Sequence, residues 1–284
     1  MSTSHTSTTL AQSIPAITSK DVIEFRKANL GFSGSCSTRY KDEAGVGSTV
    51  KWSLISTVNS GTARTKSEGN SGNDITYDSN TETAVTLTIN QHMYSAFELE
   101  EFAEHMTTID ARKWLARTAS YVLDVSIDDT LAALVDNLTQ TEGTLAMPLT
   151  DVEIRRGDQY LNDANAPKEG RYAAVSPATT NTLLGIERYV SSDFNRGGGG
   201  DIIRGTFGRV YGYTVWESTN VEGTNAAGHD NAMYQRDAFA MAMRMKPSVR
   251  TFDDIQNLST QQAISAIWGV VTTRDDHIVW LAGE

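Results

Sequence analysis

The residues that could carry chemistry are few and lie far apart in this chain. Cys36 is the single cysteine and has no histidine near it in sequence, so no cysteine–histidine nucleophile is indicated. The five histidines are His5, His92, His105, His229 and His277, and no two share the i, i+4 spacing that puts a pair of imidazoles on one helix face around a metal. There is no Gly-x-Ser-x-Gly elbow, and Ser176-Pro177 reads better as a helix cap followed by proline at the first helical position. Asp128-Asp129, Asp253-Asp254 and Asp275-Asp276 read as solvated helix ends or turns, and Glu100-Glu101 as a helix start. A calcium ion held by aspartates from separate loops would leave no short motif, so that option stays open. The glycines from Gly197 to Gly212 match neither the Walker pattern nor a Gly-x-Gly-x-x-Gly opening a helix, and a flexible surface loop is the simpler reading. No catalytic, cofactor-binding or metal-binding residue is assigned.

The composition is that of an ordinary soluble globular protein. A hydrophobic content of 39% over 284 residues is enough for one large or two smaller cores. The net charge of −11 is spread along the chain and repels nucleic acid on average, and no basic stripe interleaved with aromatics overrides it. Sequence-specific DNA or RNA binding is not expected on that ground. No apolar run reaches membrane-span length, and the N-terminus Met1-Ser2-Thr3-Ser4-His5 lacks the basic-then-apolar order of an export signal. One cysteine cannot make an intrachain disulfide and fits a reducing compartment.

The elements that position these residues begin with a Ser/Thr-rich arm, residues 1 to about 20, and a short helix expected between Lys20 and Leu30. Two alternating strands follow. Val50, Trp52 and Leu54 fall on one face of the first, and Val85, Leu87 and Ile89 on one face of the second. The span between them, Ser56 to Asn80, is polar and glycine-rich, with no stripe that folds back on a core. An isolated two-stranded hairpin is marginal in water, so this one needs a surface to lie on, and another subunit is expected to supply it.

Next comes the strongest helical signal. From Asp110 to about Leu138 there is neither Gly nor Pro, and Ile127, Leu131, Leu134, Val135 and Leu138 recur on one face. Thr107 and Asp110 form a capping-box-like start, and about 30 residues at 1.5 Å each give a rod of roughly 45 Å. Thr150 with Glu153 opens a further helix, closed near Asn165-Ala166-Pro167 and Gly170. A short strand at Tyr172–Val175 leads to a helix that starts at Ser176-Pro177 and stops at Gly185. Gly208–Trp216 alternates as one strand with Gly212 as a bulge, and Val221–Asn231 reads as a polar loop. Ala238–Met245 and Ala263–Thr273 read as paired strands, and His277–Leu281 as a last short one.

This order resembles the major capsid proteins of tailed bacteriophages, the fold first known from the Hong Kong 97 phage. The resemblance covers nearly the whole chain from about Val22. It is carried by Gly47-Ser48-Thr49-Val50-Lys51-Trp52 entering the hairpin and by Thr83-Ala84-Val85-Thr86-Leu87-Thr88-Ile89-Asn90 leaving it. Gly170-Arg171-Tyr172-Ala173-Ala174-Val175-Ser176-Pro177 and Gly208-Arg209-Val210-Tyr211-Gly212-Tyr213-Thr214-Val215 complete the set.

The resemblance implies an α+β Hong Kong 97-like fold. Residues 1–45 would be an N-terminal arm and 46–92 an extended hairpin loop. Residues 93–146 with 238–273 would form a peripheral domain built on the long spine helix, and 147–237 with 274–284 a compact axial α/β domain. It further implies a non-enzymatic subunit without cofactor or membrane contact, assembling with itself into pentamers and hexamers of an icosahedral virion around double-stranded DNA. Assembly would take place in the bacterial host cytoplasm, with a portal and a separate scaffolding protein, unless the chain is already processed, and a decoration protein is a further partner of the family. Intersubunit contacts are expected from Trp52, Leu54, Arg64, Lys66, Val85 and Leu87. Some members join subunits covalently through a hairpin lysine and a peripheral asparagine. Lys66 and Asn257 would take those places here, although a solvated Lys66 is the plainer reading. The alternatives are an encapsulin-like compartment, which shares the fold but encloses protein cargo, and a soluble α/β enzyme with the 197–201 loop as a lid.

Overall fold

The computed structural model describes residues 30–38, 47–55, 82–106, 110–186 and 209–283. The N-terminal arm with its expected helix, the hairpin tip carrying Arg64 and Lys66, and the 197–201 glycine loop lie outside the described residues.

In chain order the elements are α1 (Phe32–Ser35), β1 (Thr49–Ile55), β2 (Glu82–Thr88), β3 (Gln91–Glu100), α2 (Glu101–Met106) and α3 (Ala111–Ala132). There follow β4 (Thr141–Gly143), α4 (Asp151–Asp163), β5 (Arg171–Val175), α5 (Pro177–Leu184), β6 (Arg209–Val210) and β7 (Tyr213–Glu217). The last are β8 (Gly223–Thr224), β9 (Gly228–Gln235), β10 (Phe239–Asp254), β11 (Ser259–Thr272) and β12 (Ile278–Gly283). They make a two-stranded ribbon β1-β2, a three-stranded sheet β10-β11-β3, and a seven-stranded sheet ordered β4-β12-β9-β5-β7-β6, with β8 paired to β9.

Local caps form where the sequence places them. Thr150 and Glu153 make the reciprocal capping box of α4, with Thr150 N donating to Glu153 Oε2 at 2.6 Å. Ser176 Oγ accepts from Thr179 N at 3.1 Å to start α5, and Gly185 ends that helix. α3 starts differently from the capping-box reading: Asp110 is itself the N-cap, accepting from Lys113 N at 3.1 Å, and Thr107 lies outside the described residues.

Three expectations are corrected by tertiary contacts. The spine helix has 22 residues, a rod of about 33 Å, and stops at Ala132. Beyond it Val135 turns into the core in a short 3-10 turn, and Trp280 N donates to Gln140 O at 2.9 Å, drawing the chain alongside β12. The span read as one strand, Gly208–Trp216, is from Arg209 onward a tight hairpin of β6 and β7. Tyr211 (φ 50) and Gly212 (φ 89) are both left-handed, as a two-residue turn of this hand requires. The span read as a polar loop, Val221–Asn231, contains β8 and the start of β9, a central strand of the larger sheet.

The main core joins the two sheets. Phe32, Ile127, Leu131, Val135, Tyr234, Phe239, Met241, Trp268 and Ile278 are buried together where the end of α3 meets β9, β10, β11 and β12. Phe32 stands edge-on to Trp216, with ring centroids 4.7 Å apart. A second core, including Ile154, Leu161, Val175, Leu183, Met233 and Val279, lies where α4 and α5 pack on the larger sheet. Its lid is held by Arg171, whose Nε donates to Pro167 O, Nη1 to Asp158 Oδ1 and to Tyr213 Oη, and Nη2 to Asn162 Oδ1 and to Ala166 O, all at 2.7–3.1 Å. β10 runs past Pro247 because the pairing shifts register between Met245 and Ser248, where a missing N–H is tolerated.

Candidate assembly surface

The two alternating strands pair as a ribbon, and the register sets Val50 opposite Leu87 and Trp52 opposite Val85. Its base does not wait for a neighbour. Val50, Leu87 and Ile89 are buried on Ala240 and Ala242 of β10, with Trp52, Ile267 and Val271 packed around them. Small residues make that seat: a Cβ on Gly269 would run into Thr88 O and approach Ile89 Cα at 2.9 Å. Leu87 is 0% exposed, so its assignment to an intersubunit contact is corrected, since its own chain already covers it. Trp52 and Val85 are half-buried, and Leu54 pairs with Thr83 farther along the ribbon. Arg64 and Lys66 lie outside the described residues. Asn257 stands exposed in the turn between β10 and β11, where its Nδ2 donates to Asp254 Oδ2 at 2.9 Å.

That turn shows residues the sequence reading passed over. Phe252, Ile255 and Leu258 at the end of the three-stranded sheet, with Phe102 and Met106 of α2, are between 63% and 86% exposed. Clusters of large exposed apolar residues mark interaction surfaces. The signal is present in the sequence as Phe252 and Ile255 flanking Asp253-Asp254, an acidic pair that by itself reads as a solvated turn. A second opening lies beside α3. The helix packs through Ala119 and Leu123 on Ile264, Met93 and Phe97, and leaves Val249 of β10 mostly uncovered. The resulting groove, about 470 Å³, is lined by Lys113, Ala116, Arg117, Ser120, Tyr121 and Asp124 of the helix with Val249 and Ile264.

Titratable chemistry is concentrated where α3 ends against the larger sheet. Asp128 is buried and accepts from Ser33 N at 2.9 Å and from Asn220 Nδ2 at 3.4 Å, and burial pushes its carboxyl up despite these donors. Asp230 is pushed up to about 6, first by burial and then by the neighbouring carboxylate of Asp136, while the Trp280 indole donating at 3.0 Å pulls it back. Burial, then Asp136 and Asp129, also raise Glu222. These groups crowd one another, and among the described residues no three His, Cys, Asp or Glu side chains are arranged to hold a metal ion. No helix of the described residues is long and apolar enough to cross a membrane.

No protein-family model and no curated protein matches this chain. Solved structures do. One titled for Mycobacterium phage Che8 superposes with a TM-score of 0.81 at 19% identity, over 94% of this chain and 96% of that one. The capsid structure of the cyanophage P-SCSP1u gives 0.77 at 14% identity, over 97% and 94%. The asymmetric unit of the mature capsid of bacteriophage PhiM1 gives 0.72 at 14% identity, over 94% and 91%. The chain therefore has the α+β fold of tailed-phage major capsid proteins, along almost its whole length.

Proposed function

We propose that this protein is a structural capsid subunit that assembles with itself into pentamers and hexamers of an icosahedral phage head enclosing double-stranded DNA. The observation that carries the reading is the match to capsid structures end to end, with no additional domain among the described residues that would point elsewhere. In this reading β3, β10 and β11 with α2 and α3 form the peripheral domain. The seven-stranded sheet with α4 and α5, including β4, forms the axial domain. The β1-β2 ribbon, anchored on its own chain at Leu87, carries the polar span 56–80 outward to a neighbour. A scaffolding protein and a portal are the partners such a shell requires, and the acidic surface keeps packaged DNA from adhering. Assembly would take place in the host cytoplasm.

Electron microscopy of the purified protein, alone and with a scaffolding partner, tests this: closed shells are expected, and persistent monomers under every assembly condition would overturn it. Nucleic acid inside the shells supports the phage-head reading, whereas protein cargo would indicate an encapsulin-like compartment. Deleting residues 62–79 should leave a soluble folded subunit, because the ribbon base has its own seat, yet one that assembles poorly. Normal shells from that deletion would show that the hairpin tip is dispensable.

A further inference from the structure

The apolar turn and the open groove described above lie on the same three-stranded sheet but do not meet within one chain. Val249 and Ile255 are six residues apart on one extended strand and its turn, a separation of about 20 Å. We propose that the β10–β11 turn of one copy seats in the α3–β10 groove of a neighbouring copy. This rests on the shell reading and specifies one contact within it.

The turn is built as a rigid knob. Asp254 Oδ1 accepts from Gln256 N at 2.9 Å and Oδ2 from Asn257 Nδ2 at 2.9 Å, while Glu101 N donates to Leu258 O at 2.9 Å. Leu258 is held at φ 47, a left-handed conformation that bulky residues seldom adopt. The result is that Ile255 and Leu258 are held out to solvent, 86% and 63% exposed. Presenting two aliphatic side chains on a strained, hydrogen-bonded turn preorganises them for a partner and does nothing for the chain's own core.

The partner surface follows from charge and shape. Asp253, Glu98, Glu100 and Glu101 surround the knob with exposed carboxylates, so two knobs meeting face to face would bring like charges together. The groove has an apolar floor at Val249 and Ala116, and its helical wall carries exposed Lys113 and Arg117 with one carboxylate, Asp124, farther along toward the helix C-terminus. An apolar knob with an acidic collar fits the Lys113 end of this groove, where the wall is basic. Because two different surfaces meet, the contact is heterologous, and repeating it around an axis closes a ring of copies.

Two experiments on the full-length chain test the contact. Ile255→Asp with Leu258→Asp should cut the yield of assembled particles roughly tenfold or more while the far-UV spectrum and melting of the subunit stay unchanged. Lys113→Glu should weaken assembly as well, and combining it with Asp253→Lys should restore it. The second experiment uses single-cysteine variants, since native Cys36 is buried. Particles assembled from a mixture of Val249→Cys and Ile255→Cys chains should form an interchain disulfide on mild oxidation, and particles of either variant alone should not. Cross-linking within Ile255→Cys particles alone would show knob meeting knob and overturn the inference. Intact shells with no cross-link in the mixture would overturn it while leaving the shell reading standing, and failure of the unmodified chain to assemble at all would overturn both.

Discussion

The two sheets of this molecule deal with their surfaces in opposite ways. The seven-stranded sheet is covered by α4 and α5 on one side and by the junction core on the other. Its buried guanidinium is partnered within the chain: Arg171 meets Asp158, Tyr213, Asn162 and two backbone carbonyls. The three-stranded sheet is long and only partly covered. Its 16-residue and 14-residue strands run beyond α3 and end in exposed apolar side chains. The first region is finished by folding. The second keeps apolar surface that folding does not bury, as a subunit does when its neighbours complete it.

Mutations sharpen this contrast. Arg171→Met leaves the Asp158 carboxylate without its cation and should cost about 3 kcal/mol or more in chemical denaturation, the largest effect expected in either sheet. Gly269→Ala pushes the ribbon off its seat. It should cost about 1–3 kcal/mol, and hydrogen exchange should rise in β1 and β2 while β5 and β9 stay protected. Asp230→Asn tests the crowded carboxyls. Its folded-state value of about 6 lies above the ordinary 3.8, so the folded state holds the proton more tightly, and the stability this gives is lost as pH rises through about 6. The Asn variant, lacking that loss, should be more stable at pH 7 by about 1 kcal/mol after allowance for solvent screening and equal to the parent near pH 4, measured by melting across pH. Phe252→Ser should change subunit stability by less than about 0.5 kcal/mol, because little is buried there to lose. If it destabilises the isolated subunit strongly, the sheet end is part of the core and the contrast fails.

Local signals were readable from sequence, and long-range ones were not. Thr150 with Glu153, Ser176-Pro177 and Gly185 bound their helices as read, since a cap is satisfied within four residues. The ribbon alternation put Trp52 and Val85 on the apolar faces of their strands, but showed neither the register that sets them opposite each other nor the seat under Leu87, which needs Ala240, Ala242 and Gly269 from far along the chain. β9 was missed because Gly228-His229-Asp230-Asn231 looks like a loop. Asn231 is fully buried and is tolerated because its Oδ1 accepts from Ser176 N at 2.8 Å and its Nδ2 donates to Leu281 O at 3.3 Å. Leu87 was misassigned for the same reason: alternation shows which face of a strand is apolar, but not what covers it.

The sequence by itself determined the caps of α4 and α5 and the apolar faces of β1 and β2, because strand alternation and capping chemistry act between near neighbours. Tertiary structure decided where α3 stops, which polar strand lies at the centre of the larger sheet and which apolar residues remain outside. Those outcomes depend on partners supplied from distant parts of the chain, and burial is settled only when both sides of a contact are in place.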